Sequence, residues 1–360
     1  MKKHFSLDFK FWLNVFTFIA LTALVIITWD QIVEAFKKLS SLNGWALLLM
    51  IPLQLASYFA VAKLYKIFLD SQGENLKLRT LYKVALELNF VNHVFPSGGV
   101  SGFSYLSLRL KQLGVSTAKS TLAQLLRFAL TFMSFLIILL IGVFVLTFNS
   151  STSALIIFIT STIILGTIFG AGIGIYIISN SSRIKSFVSW LPRAINAFLR
   201  TIRLTKRSII NIENVENTLE DLHKNYVVLR KDMKLIKRLL LWALLINIFE
   251  VATIYMVYVA FGSLINPGAL IIAYAVANFA GLVAVLPGGV GIYEGLMTAT
   301  LASAGVPQAL ALSATVIYRV LSIVAFLPIG YFYYHNAIRR GGEEFKEELK
   351  QLHDDSNAHA

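Results

Sequence analysis

The stretch that decides the fold is residues 268–305, which read GALIIAYAVANFAGLVAVLPGGVGIYEGLMTATLASAG. The segment is apolar almost throughout, but Pro287, Gly288 and Gly289 interrupt its middle. Proline removes a backbone donor and glycine readily adopts positive φ, so a regular helix is not expected to continue through these residues. An apolar segment with such a break predicts a helical hairpin that enters a membrane and turns back inside it.

A second segment has the same design. Residues 81–119 are apolar and are broken by FPSGGVSG at 95–102. Irregular backbone at membrane depth is tolerated only inside protein or beside a water-filled cavity, so two breaks predict a shared central cavity. The alternative is that each Pro-Gly-Gly turns a short loop at the membrane surface, since glycine is common in membrane helices.

The composition supports a membrane protein. The chain has 360 residues, of which 57% are hydrophobic and only 14% are charged. Soluble domains carry about 25% charged residues, so a soluble enzyme, a disordered chain and a secreted disulfide scaffold are excluded. The cysteine count is 0, which also excludes thiolate metal ligands and a cysteine nucleophile.

Uninterrupted apolar runs account for the rest of the membrane domain, because each is long enough to cross the ~30 Å hydrocarbon core. The runs are 11–28, 45–69, 120–148, 153–178, 239–262 and 309–335. With the two broken segments, they predict an all-α polytopic integral membrane protein with six full spans plus two Pro-Gly-Gly-broken re-entrant hairpins in inverted repeats.

The distribution of Lys and Arg predicts the orientation. Basic residues concentrate in 183–238 and follow the last span at Arg339 and Arg340, whereas the connections 149–152 and 263–267 contain none. By the positive-inside rule, both termini are cytoplasmic and the chain is a multi-pass protein of the plasma membrane. The amphipathic stretch 183–238 is either a solvated connector or a set of helices lying on the inner leaflet.

The two halves of the sequence resemble each other. WALLLMIPLQLASY at 45–58 parallels WALLINIFEVATIY at 242–255, and NFVNHVFPSGGV at 89–100 parallels NFAGLVAVLPGGV at 278–290. Since the charge distribution makes the two hairpins enter from opposite sides, the halves are predicted to be inverted repeats, as in many transporters. The predicted boundaries are a single membrane domain 1–340, repeat one 11–148, repeat two 153–335 with the insertion 183–238, and a polar tail 341–360.

Ionisable residues within the spans indicate which part of the cavity binds the ligand, because burying a charge at the bilayer centre costs free energy. Glu294 follows the second break and Arg319 lies on the next helix, so an ion pair between them is predicted. Arg127 is the counterpart of Arg319 in the first half. Arginine suits a phosphate because its planar fork binds two oxygens, although a purely structural ion pair is the alternative.

The predicted headgroup-binding site gathers polar residues and glycines around both breaks, where helix N-termini would favour an anion. Its members are Arg127, Arg319, Glu294, Tyr318, Gly98, Gly99, Ser101, Gly288, Gly289, Gly291, His93, Asn92 and Asn278. No catalytic residue, metal site or cofactor is predicted. Residues 99–102 match the G-x-S-G of rhomboid proteases, but no histidine lies mid-span on a later helix to serve as the base.

Two regions carry a family resemblance. Residues 96–128, and still more 286–332 with Pro-Gly-Gly-Val-Gly, Glu294, Gly305-Val306-Pro307 and Tyr318-Arg319, resemble the signature regions of the lysylphosphatidylglycerol synthase transmembrane (flippase-like) family. The resemblance implies a lipid flippase or lipid-transport protein whose cargo is an anionic or modified-headgroup phospholipid or polyprenyl lipid.

The family name also implies phosphatidylglycerol lysyltransferase activity, but that chemistry belongs to a soluble domain that we do not find in this chain, so no enzyme activity is expected. The alternative is an intramembrane enzyme, or a scaffold subunit for a separately encoded transferase, in lipid or glycan-lipid biosynthesis. An oligomer is compatible with this family, and nucleic acid is not an expected partner.

Overall fold

The computed structural model describes residues 37–94, 100–149, 232–281 and 291–358, together with isolated positions within 26–33 and 161–186. These residues form helices and turns, without a strand among them. In chain order the described helices are α1 (Gly44–Ser71), α2 (Leu78–Val94), α3 (Val100–Gln112), α4 (Thr117–Asn149), α5 (Met233–Ala260), α6 (Pro267–Gly281), α7 (Ile292–Ser303) and α8 (Gln308–Ala358).

Long apolar helices occur at the places where the sequence predicts spans. Four described helices are long and apolar enough to cross a membrane, namely 44–71, 119–146, 233–260 and 308–339. They confirm the predicted spans 45–69, 120–148, 239–262 and 309–335. The predicted spans 11–28 and 153–178 lie outside the described residues, apart from isolated positions.

Helix α5 begins earlier than the sequence predicts. The carboxylate of Asp232 accepts a hydrogen bond from the backbone N–H of Leu235 at 2.9 Å and caps the helix, which starts at Met233. The last residues of the predicted insertion 183–238 are therefore the first turns of a spanning helix. The physical reason is that long basic side chains are tolerated at the end of a membrane helix, where the charge reaches water. The rest of the insertion lies outside the described residues, apart from isolated positions.

Both broken segments contain two separate helices. Helix α2 ends at Val94 and α3 begins at Val100, directly after Gly99. Helix α6 ends at Gly281 and α7 begins at Ile292, after Gly291 with a φ of 88°. The intervening residues 95–99 and 282–290 lie outside the described part of the chain, and with them Gly98, Gly99, Gly288 and Gly289.

The first half of the described fold, α1–α4, packs against the second half, α5–α8, in three principal pairs. Helix α1 lies along α5, α2 along α8, and α4 along α6. One hydrophobic cluster joins α1–α3 and the first half of α4 to the first half of α5 and to the part of α8 from Phe326 onward. The other joins the second halves of α4 and α5 to α6, α7 and the start of α8. Each half therefore packs its broken segment against the last span of the other half.

Glycines permit close backbone contact in two of these pairs. A Cβ atom at Gly330 of α8 would lie 2.7 Å from the carbonyl oxygen of Leu86 in α2. A Cβ atom at Gly268 of α6 would lie 2.8 Å from the backbone nitrogen of Leu146 in α4. Small residues at such crossings are typical of membrane helices, which associate by close packing because lipid supplies no hydrophobic drive.

The outer surface of the fold is apolar, as a lipid-facing surface must be. Large hydrophobic side chains stand exposed on several of the long helices, including Leu140, Phe144, Leu241, Ile248 and Phe332. Continuous exposure of such side chains would be unfavourable in water. The exposed residues and the span lengths together make the chain a multi-pass membrane protein.

Candidate functional site

A buried ion pair joins the two helices that follow the second break. The guanidinium Nη1 of Arg319 in α8 donates to Oε1 of Glu294 in α7. Both residues are buried, with exposed fractions of 8% and 4%. The ion pair predicted from the sequence is thereby confirmed.

The start of α7 holds the carboxylate of this pair in place. The backbone N–H of Gly291 donates to Oε2 of Glu294 at 2.7 Å, so the side chain caps the helix while its other oxygen faces Arg319. A carboxylate in the first turn also interacts favourably with the positive end of the helix dipole. The Gly291 N–H, which the sequence assigns to the headgroup, is thus already engaged by Glu294.

Arg319 has aromatic and imidazole neighbours besides Glu294. Its guanidinium carbon lies 5.1 Å from the ring centroid of Tyr293, which suits a cation–π contact. His93 of α2 lies within electrostatic range of Arg319, and its Nδ1 is 2.8 Å from the carbonyl oxygen of Asn89. Because a carbonyl oxygen only accepts, Nδ1 carries a proton in this contact and Nε2 is left for another partner.

A half-buried carboxylate, Glu250, lies with this pair within electrostatic range of Tyr293. Glu250 of α5 accepts hydrogen bonds at Oε1 from Gln54 Nε2 and Ser57 Oγ of α1, both at 2.7 Å. Its Oε2 accepts from the hydroxyl of Tyr318 at 3.2 Å. These three donors are neutral, and within the described part of the chain no Lys or Arg lies within salt-bridge distance of Glu250.

The first half contributes its own arginine to the same region. Nη1 of Arg127 in α4 donates to the hydroxyl of Tyr65 at 3.1 Å, and the guanidinium carbon lies 5.8 Å from that ring. The Tyr65 hydroxyl in turn donates to Oε1 of Gln124 at 2.6 Å. Tyr65 and Gln124 are fully buried, and Arg127 is half-buried. Arg127 lies within electrostatic range of Glu250.

Three hydrogen-bonded sets of residues lie within electrostatic range of one another or of Tyr293, and we call them together the central cluster. It consists of Arg127 and Tyr65 from the first half, Glu294 and Arg319 from the second, and Glu250 with its donors Gln54, Ser57 and Tyr318 at the junction of both. Polar side chains buried in a membrane protein face the bundle interior or a water-filled cavity and mark substrate and ion pathways.

Two other predicted site residues contact neighbours within their own broken segments. The side-chain amide of Asn278 donates to the carbonyl oxygen of Tyr274 at 2.8 Å, which ties it to its own helix. Asn92 is exposed, and its amide lies against Gly102, where a Cβ would come within 2.9 Å of the Asn92 Cγ. Of Ser101 only the backbone, in α3, is described.

Several members of the central cluster were missed by sequence analysis. Gln54 and Ser57 lie three residues apart within an apolar span, a spacing that places two polar side chains on one helix face. That polar stripe is a signal that sequence analysis could have used. Tyr65 and Gln124 carried no such signal, since single polar residues are common in spans.

The sequence is similar to those of known membrane proteins. The chain is 25% identical, over 252 residues, to a protein named "UPF0104 membrane protein" from Methanothermobacter thermautotrophicus, and the match covers 68% of this chain and 71% of that protein. The family described as "Lysylphosphatidylglycerol synthase TM region" matches residues 13–330. The chain therefore belongs to the lysylphosphatidylglycerol synthase transmembrane-region family.

Proposed function

We propose that this protein moves a lipid with an anionic or modified headgroup between the leaflets of the plasma membrane, without being an enzyme itself. The headgroup passes through the central cluster while the acyl chains stay in lipid. The observation that supports the proposal is the buried Glu294–Arg319 pair, together with Arg127 and Glu250, which lie within electrostatic range of each other. Membership of the family supports a lipid as the substrate class.

The packing of the two halves supports a transport mechanism. In an inverted-repeat protein the two halves are related by a two-fold axis. A helix near that axis packs on its own counterpart, whereas each of the other helices packs on a non-equivalent helix of the other half. Here α1 packs on its counterpart α5, while α2 packs on α8 and α4 on α6. Transporters of this design alternate access by moving one repeat against the other around a central site.

The residues have distinct roles in this proposal. Arg127 and Arg319 bind the lipid phosphate, because a guanidinium presents a planar fork of N–H donors to two oxygens. Glu294 orients Arg319 and becomes the binding partner of a cationic headgroup when the substrate carries one. In this proposal the glycine breaks at 95–99 and 282–290 supply further backbone N–H donors. The proposal also places both termini of the chain in the cytoplasm.

A leaflet-accessibility assay tests the transport function. The full-length protein is reconstituted into liposomes that contain fluorescent phosphatidylglycerol, and a membrane-impermeant quencher reports the fraction of label in the outer leaflet over time. The test variant is the double substitution Glu294→Gln and Arg319→Gln, which removes both charges without leaving either one unpaired. The matched control is Lys66→Gln, which removes a half-buried lysine that pairs with Asp70 at 2.6 Å.

We expect exchange of labelled lipid between leaflets with the wild-type protein and with Lys66→Gln, and loss of that exchange with the double variant at an unchanged melting temperature. Equal exchange in the double variant would remove the central cluster from the mechanism. Absence of exchange in wild-type liposomes, with folded protein present, would contradict the transport function.

The second candidate is a role in lipid or glycan-lipid synthesis, as an intramembrane enzyme or as a scaffold for a separately encoded transferase. The observation that favours it is the family description, which names a synthase. Product formation by the purified chain from candidate lipids would support an enzyme, with Glu294 or His93 as the base. Co-purification of a defined transferase, without lipid exchange by the chain alone, would support a scaffold.

A further inference from the structure

A polar pocket lies apart from the central cluster, near the start of α2 and the end of the membrane span of α8. It has a volume of about 180 Å³, and its polar lining is Lys83 and Glu87 of α2, Arg109 of α3, and Tyr333 and Asn336 of α8. Lys83 and Glu87 are four residues apart and therefore share one face of α2. The α8 residues that line the pocket follow Gly330, the residue at which α8 contacts Leu86 of α2.

The charges of this pocket favour an anion. Glu87 is 1% exposed, and its Oε2 accepts from Arg109 Nε at 3.0 Å and from the Tyr105 hydroxyl at 2.8 Å. One cation is thus matched by the single carboxylate, and Lys83 adds a second cation. The ammonium of Lys83 lies 5.5 Å from the ring centroid of Tyr333, which holds it at the pocket without neutralising it.

Arg109 also has donors to offer. A guanidinium carries five N–H groups, and the contacts of Arg109 in the described residues use Nε for Glu87 and Nη1 for Gln112, the latter at 3.2 Å. The remaining N–H groups, the Lys83 ammonium and the Asn336 amide can donate to the oxygens of one phosphate. Charge-assisted hydrogen bonds of this kind are about twice as strong as neutral ones.

The position of the pocket indicates a lipid as the source of the phosphate. Phe332 lines the pocket and is 61% exposed on the apolar outer surface, so the pocket adjoins the region of the acyl chains. The span of α8 ends at Arg339, and Tyr333 lies within about 10 Å of that end at 1.5 Å per residue. This is the depth of phospholipid headgroups rather than the bilayer centre.

We infer that the pocket between Lys83, Arg109 and Asn336 binds the phosphate of an anionic phospholipid of the inner leaflet, at a site separate from the central cluster. The inference rests on the proposed lipid-transport function and extends it by naming a peripheral site where the substrate is held before it reaches the interior. The surplus of one positive charge selects lipids with a net negative headgroup over zwitterionic ones.

Native mass spectrometry of the full-length protein, released from detergent with defined lipids, tests the inference. Phosphatidylglycerol and phosphatidylcholine are titrated separately onto the wild-type protein and the variants. Lys83→Gln is the test variant, because it removes a cation without unpairing Glu87. Lys66→Gln is the control for loss of a lysine outside the pocket, and the Glu294→Gln, Arg319→Gln double variant reports on the central cluster.

We expect Lys83→Gln to weaken phosphatidylglycerol binding about tenfold, the effect of losing one charge-assisted contact, and to leave phosphatidylcholine binding unchanged. The Lys66→Gln control should bind phosphatidylglycerol as the wild type does, and the central double variant should keep the part of the binding that depends on Lys83. Unchanged phosphatidylglycerol binding in Lys83→Gln, or a loss confined to the central double variant, would overturn the inference.

Two further outcomes distinguish a lipid from a soluble anion as the ligand, and this binding site from the transport function. Displacement of phosphatidylglycerol by inorganic phosphate or glycerol phosphate at equal concentration would assign the pocket to a soluble anion and overturn its assignment to a lipid. Selective binding that depends on Lys83, in a preparation that fails to exchange lipid between leaflets, would support this site and contradict only the transport function.

Discussion

Two corresponding arginines, one in each half, differ in the groups that hold them. Arg319 is buried and paired with the buried carboxylate of Glu294. Arg127 is half-buried and contacts the hydroxyl and ring of Tyr65, and within the described residues no carboxylate lies within salt-bridge distance of it. The predicted repeat thus has a cation in both halves but a carboxylate partner only in the second, and in the proposed mechanism the charge of Arg127 is available to a phosphate.

The largest expected effect comes from breaking the pair in the second half. Arg319→Ala leaves Glu294 buried without a counterion, and we expect it to lower the free energy of unfolding by about 3–5 kcal/mol. Denaturant titration in detergent micelles measures the change. The Glu294→Gln, Arg319→Gln double variant should recover most of the loss, and an equally unstable double variant would contradict this account.

The matching substitution in the first half should have a smaller effect. Arg127→Ala removes a half-buried cation whose partner is neutral, so we expect a loss of about 1–2 kcal/mol in the free energy of unfolding. Lipid exchange between leaflets should nevertheless fall as far as in the double variant, because the phosphate-binding charge is lost. A loss of stability as large as that of Arg319→Ala would break the comparison between the two arginines.

The smallest expected effect is at the ring beside Arg127. Tyr65→Phe removes the hydroxyl that accepts from Arg127 and donates to Gln124, and we expect it to lower the free energy of unfolding by about 1 kcal/mol. Lipid exchange should be retained, since the arginine remains. Measured beside Arg127→Ala, this variant shows whether Tyr65 positions the cation only, and abolished exchange would instead give the hydroxyl a direct part in transport.

The long membrane helices and the Glu294–Arg319 ion pair could be predicted from the sequence because both depend on residues that are close together in the chain. Hydropathy alone marks the spans, since each must cross an apolar layer of fixed thickness. The Glu294–Arg319 pair was predictable because both residues lie near one break on consecutive helices. The break itself also predicted that α7 would start close to Gly289, and it begins at Ile292 with Glu294 in its first turn.

The remainder of the site depends on long-range packing, which local patterns do not encode. Glu250 meets Gln54 only because α1 lies along α5, and the two residues are 196 positions apart in the chain. Asn278 is predicted to face the headgroup, and its side-chain N–H donates to Tyr274 one turn back, a contact that its position in the sequence did not reveal. Which way a polar side chain turns on a buried helix depends on its neighbours in other elements, so sequence spacing leaves it undetermined.

The two glycine crossings constrain how the halves can move. Gly330 on Leu86 and Gly268 on Leu146 each join one half of the fold to the other, backbone against backbone. Neither contact can tighten without overlap, and neither can open without losing the close packing that holds membrane helices together. In the proposed transport mechanism, a rigid-body motion of one half that keeps both contacts would be a rotation about the line that joins them, so we expect the halves to move about that axis.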